Sequence, residues 1–275
     1  MFFTYKLMVL MQYIFLGLVQ GVTEPLPISS SGHTILLKNL FDLSTPGLSF
    51  EIVLHLGSLI AIIFIYRRDI ISILLESFSY IHKRDEAHRH SFIYLIHLLV
   101  ATAITGVIGI FLEDTISNRL ATPITVAIAL LVTGLLLLFA QSAHGIKRNE
   151  DITMMDAIII GCAQALALIP GISRSGTTLV AGLLLGFQRE AALRFSFLLF
   201  IPVSIGMHIL SIPRLMTSSS SHHLFIPYLL AFLIATFATY FALIWFKKLV
   251  LSGRLAIFSL YCFIVGIAVA MWHLI

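Results

Sequence analysis

The sequence predicts an all-α polytopic membrane protein: about six transmembrane helices plus two re-entrant helix-loop-helix hairpins in an inverted-topology repeat. Three observations carry this prediction. Hydrophobic residues make up 59% of the 275 and charged residues only 11%, a balance unlike that of soluble domains. Apolar runs of about 20 residues, the length that crosses a bilayer, recur along the chain. Two more apolar stretches are each broken near the middle by prolines, glycines and serines, and the two resemble one another.

The start of the chain is apolar but has no basic n-region and no small-residue cleavage site, so it reads as part of the mature fold. The first broken stretch, 7 to 41, holds too many residues for one span, and TEPLPISSSGH at 23 to 33 puts breakers where a hairpin would turn. The runs 50 to 66, 91 to 112 and 122 to 142 read as full spans. The second broken stretch, 156 to 187, turns at PGISRSGTT, 170 to 178, and is followed by spans at 192 to 211, 224 to 246 and 254 to 274.

A re-entrant hairpin returns to the side it entered from. Threaded this way, the chain has twelve Lys and Arg residues, from Arg67 to Arg254, on one side, against Lys6, Lys38, Arg119 and Arg214 on the other. The positive-inside rule makes the first side cytoplasmic and leaves both termini outside. HKRDEAHRH at 82 to 90 then becomes a solvated cytoplasmic loop, which argues against nucleic-acid binding despite the net charge of +4. SSSSHH at 218 to 223 falls in an outside loop. Cys162 and Cys262 have no paired spacing and read as buried small hydrophobes.

Gly17, Gln20, Ser29, Ser31 and Gly32 recur as Gly161, Gln164, Ser173, Ser175 and Gly176, at an offset of 144. The expected layout is a single membrane domain with one repeat over about 7–142 and a second over about 156–274. One hairpin plus three spans is an odd number of crossings, so the second repeat starts on the opposite face. Such repeats bring broken helices together near the midplane, where their ends form a polar site.

In the first cluster, Gln20 and Glu24 are four apart and share a helix face. Pro25 and Pro27 end that helix, and the serines can cap the next one, whose N-terminus suits a phosphate. His33, three residues after Ser30, can share its face, and a hydroxyl beside an imidazole is the minimal activated nucleophile. In the second cluster, Arg174 is the only basic residue between Asn149 and Gln188. An intramembrane guanidinium is costly and matches phosphate oxygens. Ser173, Ser175 and Thr178 add hydroxyls, and the combined inventory suits a diphosphate. Simpler readings stand beside this one: Ser29 and Gly32 as turn chemistry, and Arg174 as a structural counter-ion for Glu24. Glu51 and His55 read either as site members or as interfacial polar residues, and His97, His208 and His273 as structural or interfacial.

QGVTEPLPISSSGH resembles the first motif of the undecaprenyl-diphosphate phosphatase family, the integral-membrane bacitracin-resistance type. PGISRSGTT resembles its second, arginine-bearing motif, and the likeness continues through FEIVLHLGSLIAI, GCAQALALIPG and FSFLLFIPVSIG. The resemblance implies removal of the terminal phosphate of undecaprenyl diphosphate in the bacterial cytoplasmic membrane, regenerating the lipid carrier for cell-wall synthesis. It implies catalytic roles for Glu24, Ser30, His33 and Arg174. It further implies phosphate contacts from Ser29, Ser31, Ser173 and Thr178, with Gln20 and Ser175 in the same binding group, and a divalent ion, Mg2+ or Ca2+, on Glu24. Gln20 stands where many members have glutamate and His55 where many have glutamine. That puts a two-carboxylate metal site in doubt, although one carboxylate plus substrate phosphates can hold magnesium.

The expected partners are a polyprenyl diphosphate and the surrounding membrane lipid, with no nucleic acid; a homodimer is compatible with the sequence. Two mechanisms stay open: attack by Ser30 helped by His33 or Glu24, and direct attack by water with Glu24 as base. The site should open outwards, because the first hairpin enters from the side of the termini. The rival function is a transporter or flippase using the same inverted-repeat site; a nucleophile and base close together favour the enzyme.

Overall fold

A computed structural model of the protein describes residues 2–40, 47–115, 120–217 and 225–274. Arg119 and the loop at 218–223 lie outside the described residues, as do the side chains of Lys6 and Arg214. The first hairpin is α1 (Phe2–Thr23) and α2 (Ser30–Leu40), followed by α3 (Gly47–Lys83), α4 (Arg89–Thr115) and α5 (Pro123–Ala140). The second hairpin is α6 (Met154–Leu166) and α7 (Arg174–Leu184), followed by α8 (Arg189–Thr217), α9 (Phe225–Leu251) and α10 (Ala256–Leu274). Both broken stretches are therefore helix-turn-helix segments. Among the described residues five helices, α4, α5, α8, α9 and α10, are long and apolar enough to cross a membrane. The sixth expected run, 50 to 66, forms the first half of α3, a helix of 37 residues that continues past Arg67 and Arg68. The protein is an all-α, multi-pass membrane protein.

Local chemistry sets the helix starts. Thr122 accepts a hydrogen bond from the Thr125 amide and Pro123 occupies the first turn of α5, a position where proline's missing N–H costs nothing. Thr153 and Asp156 form a reciprocal capping box at α6. The two inner helices use one device: Ser29 Oγ accepts from the Gly32 amide and Ser173 Oγ from the Gly176 amide, each at 3.2 Å. Beyond Arg68, α3 buries Ile73 and Ser77. Hydroxyls of Ser72 and Ser91 donate to Glu76 there and hold its carboxyl below the usual carboxylate range.

Small residues let the helices approach closely, which replaces the hydrophobic drive that lipid tails do not supply. A Cβ on Gly17 of α1 would lie 2.5 Å from the Ala231 carbonyl oxygen of α9, and one on Gly161 of α6 would lie 2.9 Å from Ala101 Cα of α4. Helices α5 and α10 meet at Gly134 against Ser259 and at Gly266 against Ala127. A short parallel bridge between Lys147 and Phe187 ties the segment after α5 to the segment after α7.

Phe111, Phe139 and Phe241 are exposed around the perimeter, as lipid-facing side chains should be. Cys262 is buried, but Cys162 is exposed, contrary to expectation. It follows Gly161 and so is rotated about 100° from the face that packs on α4. Facing lipid, an apolar thiol needs no burial in protein.

Candidate active site

The two hairpin turns meet. The Gly171 amide donates to Ser29 Oγ at 3.2 Å, and Ser175 Oγ donates to the Leu26 carbonyl at 3.1 Å. A span steadies each turn: Thr133 of α5 donates to the Gly171 carbonyl and accepts from the Ser173 amide, and Cys262 of α10 faces the Pro27 carbonyl. Ser29 has a φ of 66°, a left-handed conformation that costs a non-glycine residue roughly 1–2 kcal/mol. The two amide hydrogen bonds its hydroxyl accepts hold it there.

Glu24 lies at the centre and is buried. Its Oε2 accepts from Gln20 Nε2 at 2.7 Å and from Ser30 Oγ at 2.5 Å. Its Oε1 faces Arg174 Nη2 at 3.6 Å and His55 Nδ1 at 3.5 Å. An unpaired buried carboxylate would be prohibitive, and these four neighbours compensate it. The 3.6 Å gap is longer than a hydrogen bond, so Arg174 is not locked to Glu24 as a bidentate pair. Its Nη1 donates to Ser204 of α8 at 3.2 Å and its guanidinium lies over the Phe200 ring. The side chain is 24% exposed, which leaves part of the fork open to an oxyanion.

Ser30 and His33 are neighbours in α2 but not partners. His33 Nδ1 donates to the Ser29 carbonyl at 2.7 Å, and Nε2 lies 2.6 Å from the Tyr261 hydroxyl of α10, with the two rings stacked. The imidazole folds back over the first turn of α2 and out towards α10, so the group in contact with Ser30 Oγ is Glu24. Ser31 is exposed. Ser29, Ser173, Ser175 and Thr178 are buried; the three serine hydroxyls are engaged in the junction, and Thr178 lies 2.5 Å from Ser196 of α8. These four build the site, and Ser30, Ser31 and Arg174 are its accessible polar groups.

His55 joins the cluster, and Glu51, one turn earlier on α3, pairs with Lys38. His208 bridges carbonyls of Ser204 and Ile52, tying α8 to α3. Among the described residues no three His, Cys, Asp or Glu side chains form a metal cage. Glu24 alone offers a carboxylate oxygen there, which fits an ion held largely by other oxygens; the buried Nδ1 of His55 faces that carboxylate at 3.5 Å and is not a donor suited to Mg2+ or Ca2+.

The family profile described as "Bacitracin resistance protein BacA" matches residues 13–268. The chain belongs to this family. "Undecaprenyl-diphosphatase 1" of Bacillus licheniformis is 45% identical over 266 residues, covering 96% of this chain and 98% of the relative. "Undecaprenyl-diphosphatase" of Oceanobacillus iheyensis is 44% identical over 265 residues, 96% of each chain. "Undecaprenyl-diphosphatase 1" of Shouchella clausii is 46% identical over 269 residues, 97% of each. The match to the BacA family takes in both hairpin turns and every residue placed at the site.

In this BacA-family chain, sequence reasoning missed Tyr261 and Thr133. Each is an isolated polar side chain in an apolar span, and the sequence gives no spacing that links either to a hairpin. A lone hydroxyl in a membrane helix needs a partner, which was the one signal available.

Proposed function

We infer that this chain hydrolyses undecaprenyl diphosphate to undecaprenyl phosphate and inorganic phosphate, recycling the lipid carrier for peptidoglycan synthesis and conferring bacitracin resistance. Family membership and near-full-length relatives named for that activity support the reading. The observation that carries its chemistry is one carboxylate, Glu24, holding Ser30 Oγ–H on one oxygen and facing Arg174 across the other. A seat that only bound or moved a lipid phosphate would need the arginine but not the polarised hydroxyl.

In this mechanism Arg174 and the open N-terminal amides of α2 hold the terminal phosphoryl group and stabilise its developing charge. Ser30 Oγ attacks phosphorus and passes its proton to Glu24. The bond from phosphorus to the bridging oxygen breaks, and undecaprenyl phosphate leaves. Water then cleaves the phosphoserine, releasing inorganic phosphate and restoring Ser30. His33 lies beyond Ser30 and orients the first turn of α2 through the Ser29 carbonyl. Glu24 would supply one carboxylate oxygen to a Mg2+ or Ca2+ ion, which when bound neutralises diphosphate charge.

The reading places the chain in the bacterial cytoplasmic membrane, with both termini outside and the site opening to the outer face. The twelve-to-four distribution of Lys and Arg supports that sidedness. It treats the architecture as an inverted repeat, supported by paired packing: α1 lies on α9 as α6 lies on α4, while α3 with α8 and α5 with α10 pair across the centre.

The test is phosphate release by purified protein in detergent, with and without chelator, by wild type and Ser30→Ala. Ser30→Ala should lose at least two decades of rate, and chelation should lower activity in proportion to free metal. Full turnover by Ser30→Ala would exclude the serine nucleophile and leave direct attack by water.

A further inference from the structure

A second polar cavity lies at the cytoplasmic end of the molecule, on the far part of α8 from the Arg174 site. It is lined by Ile73 of α3, Tyr94 and His97 of α4, Asn149 and Glu150 before α6, and Arg194 of α8, and encloses about 170 Å3. Arg194 and Ser204 are ten residues apart on one helix, so the cavity and the Arg174 site are separated by roughly 15 Å along its axis.

Three of its lining atoms, Tyr94 Oη, His97 Nδ1 and Asn149 Oδ1, are buried without a hydrogen-bond partner. Tyr94 and His97 are only 5% and 4% exposed. Buried polar groups in folded proteins are nearly always satisfied, so three orphans around one cavity mean that something polar fills it. Arg194 donates from Nε to Asp69 at 2.7 Å and lies over the Tyr94 ring, and among the described residues its outer nitrogens make no other hydrogen bond.

We propose that this cavity is a phosphate-recognition site open to the cytoplasmic side, distinct from the hydrolytic site. The guanidinium fork supplies charge and paired donors. Tyr94 and His97 supply neutral donors, and the Asn149 carbonyl accepts from a protonated phosphate oxygen. Glu150, the one acid among the lining residues, is exposed. A volume of 170 Å3 equals that of about five to six waters at ~30 Å3 each, enough for one tetrahedral oxyanion with part of its hydration. At this depth the phosphate could belong to an anionic lipid headgroup or be free inorganic phosphate.

The test is thermal unfolding of the full chain in nanodiscs of three kinds: phosphatidylcholine alone, phosphatidylcholine with added inorganic phosphate, and phosphatidylglycerol-containing without phosphate. One or both phosphate sources should raise Tm, and which one does so identifies the source. Tyr94→Phe deletes only an unpartnered hydroxyl, so it should leave the ligand-free Tm unchanged or higher. It should also weaken the ligand-dependent rise three- to tenfold in apparent affinity, whereas Arg174→Gln should leave that rise intact. No stabilisation by either source, or stabilisation that Tyr94→Phe does not weaken, would mean the cavity holds only water and overturn the proposal. A rise abolished by Arg174→Gln alone would assign the phosphate to the hydrolytic site and overturn it equally.

Discussion

Glu24→Gln removes one charge and one proton acceptor while keeping the shape of the side chain. In the wild type, Oε2 takes the Ser30 hydroxyl at 2.5 Å while Oε1 faces Arg174 at 3.6 Å, so the substitution acts on two terms at once. The amide cannot receive the Ser30 proton, and losing a positioned general base lowers rate by about 10²–10⁴, or about 3–5 kcal/mol of barrier at about 1.36 kcal/mol per decade. The same change releases Arg174 from its counter-ion. Two unit charges at that separation attract by roughly 4–5 kcal/mol at an effective dielectric of 20. Arg174 is partly open to solvent, so only a fraction of this is felt, and that fraction goes to the anionic substrate. At saturating divalent ion we therefore expect kcat to fall by about two to four decades while KM stays constant or falls. Phosphate release across a range of undecaprenyl diphosphate concentrations separates the two. Combining Glu24→Gln with Ser30→Ala should cost little more than the slower single variant, because both remove one proton transfer. A raised KM with unchanged kcat would make Glu24 only a structural counter-ion, and multiplicative losses in the double variant would uncouple it from Ser30; either result refutes the assignment.

Tyr261→Phe removes the hydroxyl 2.6 Å from His33 Nε2. One hydrogen bond of about 0.5–1.5 kcal/mol translates into a kcat lowered about three- to tenfold, with KM and thermal unfolding little changed. Gly161→Leu should destabilise the fold in detergent by about 1–3 kcal/mol or more, because its Cβ would meet Ala101 Cα at 2.9 Å. Gly106→Leu should not, since nothing lies within 4 Å there; equal melting shifts would contradict the packing. In a Cys162→Ala background, an impermeant maleimide should label Ala87→Cys only from the cytoplasmic side and Asn39→Cys only from outside. The reverse pattern would invert the topology.

The hairpins, the spans and the acid–arginine pairing were legible from residue type and spacing. The reason is that they answer local demands. A backbone in lipid must satisfy its own hydrogen bonds, so prolines followed by capping serines inside an apolar stretch leave little besides a helix-turn-helix. The offset of 144 pointed correctly to Ser29 and Ser173, which cap α2 and α7 in the same way. The placement of Glu24 near Arg174 followed from two charges sharing an apolar solvent.

Tertiary structure decided which hydroxyl faces which base. The spacing of Ser30 and His33 allowed a pair, but their partners come from elsewhere: Glu24 reaches Ser30 across the turn, and Tyr261, 228 residues from His33, claims the imidazole. It likewise turned Ser173 and Ser175 inward, because the meeting of two hairpins exposes carbonyls such as Leu26 that need donors, and turned Thr178 to Ser196 of α8. It left Cys162 facing lipid rather than protein. Sequence spacing defines the face of a helix on which a side chain lies. What that face meets is set by helices far away in the chain, and in an apolar medium each buried polar group takes whichever partner the packing brings within reach.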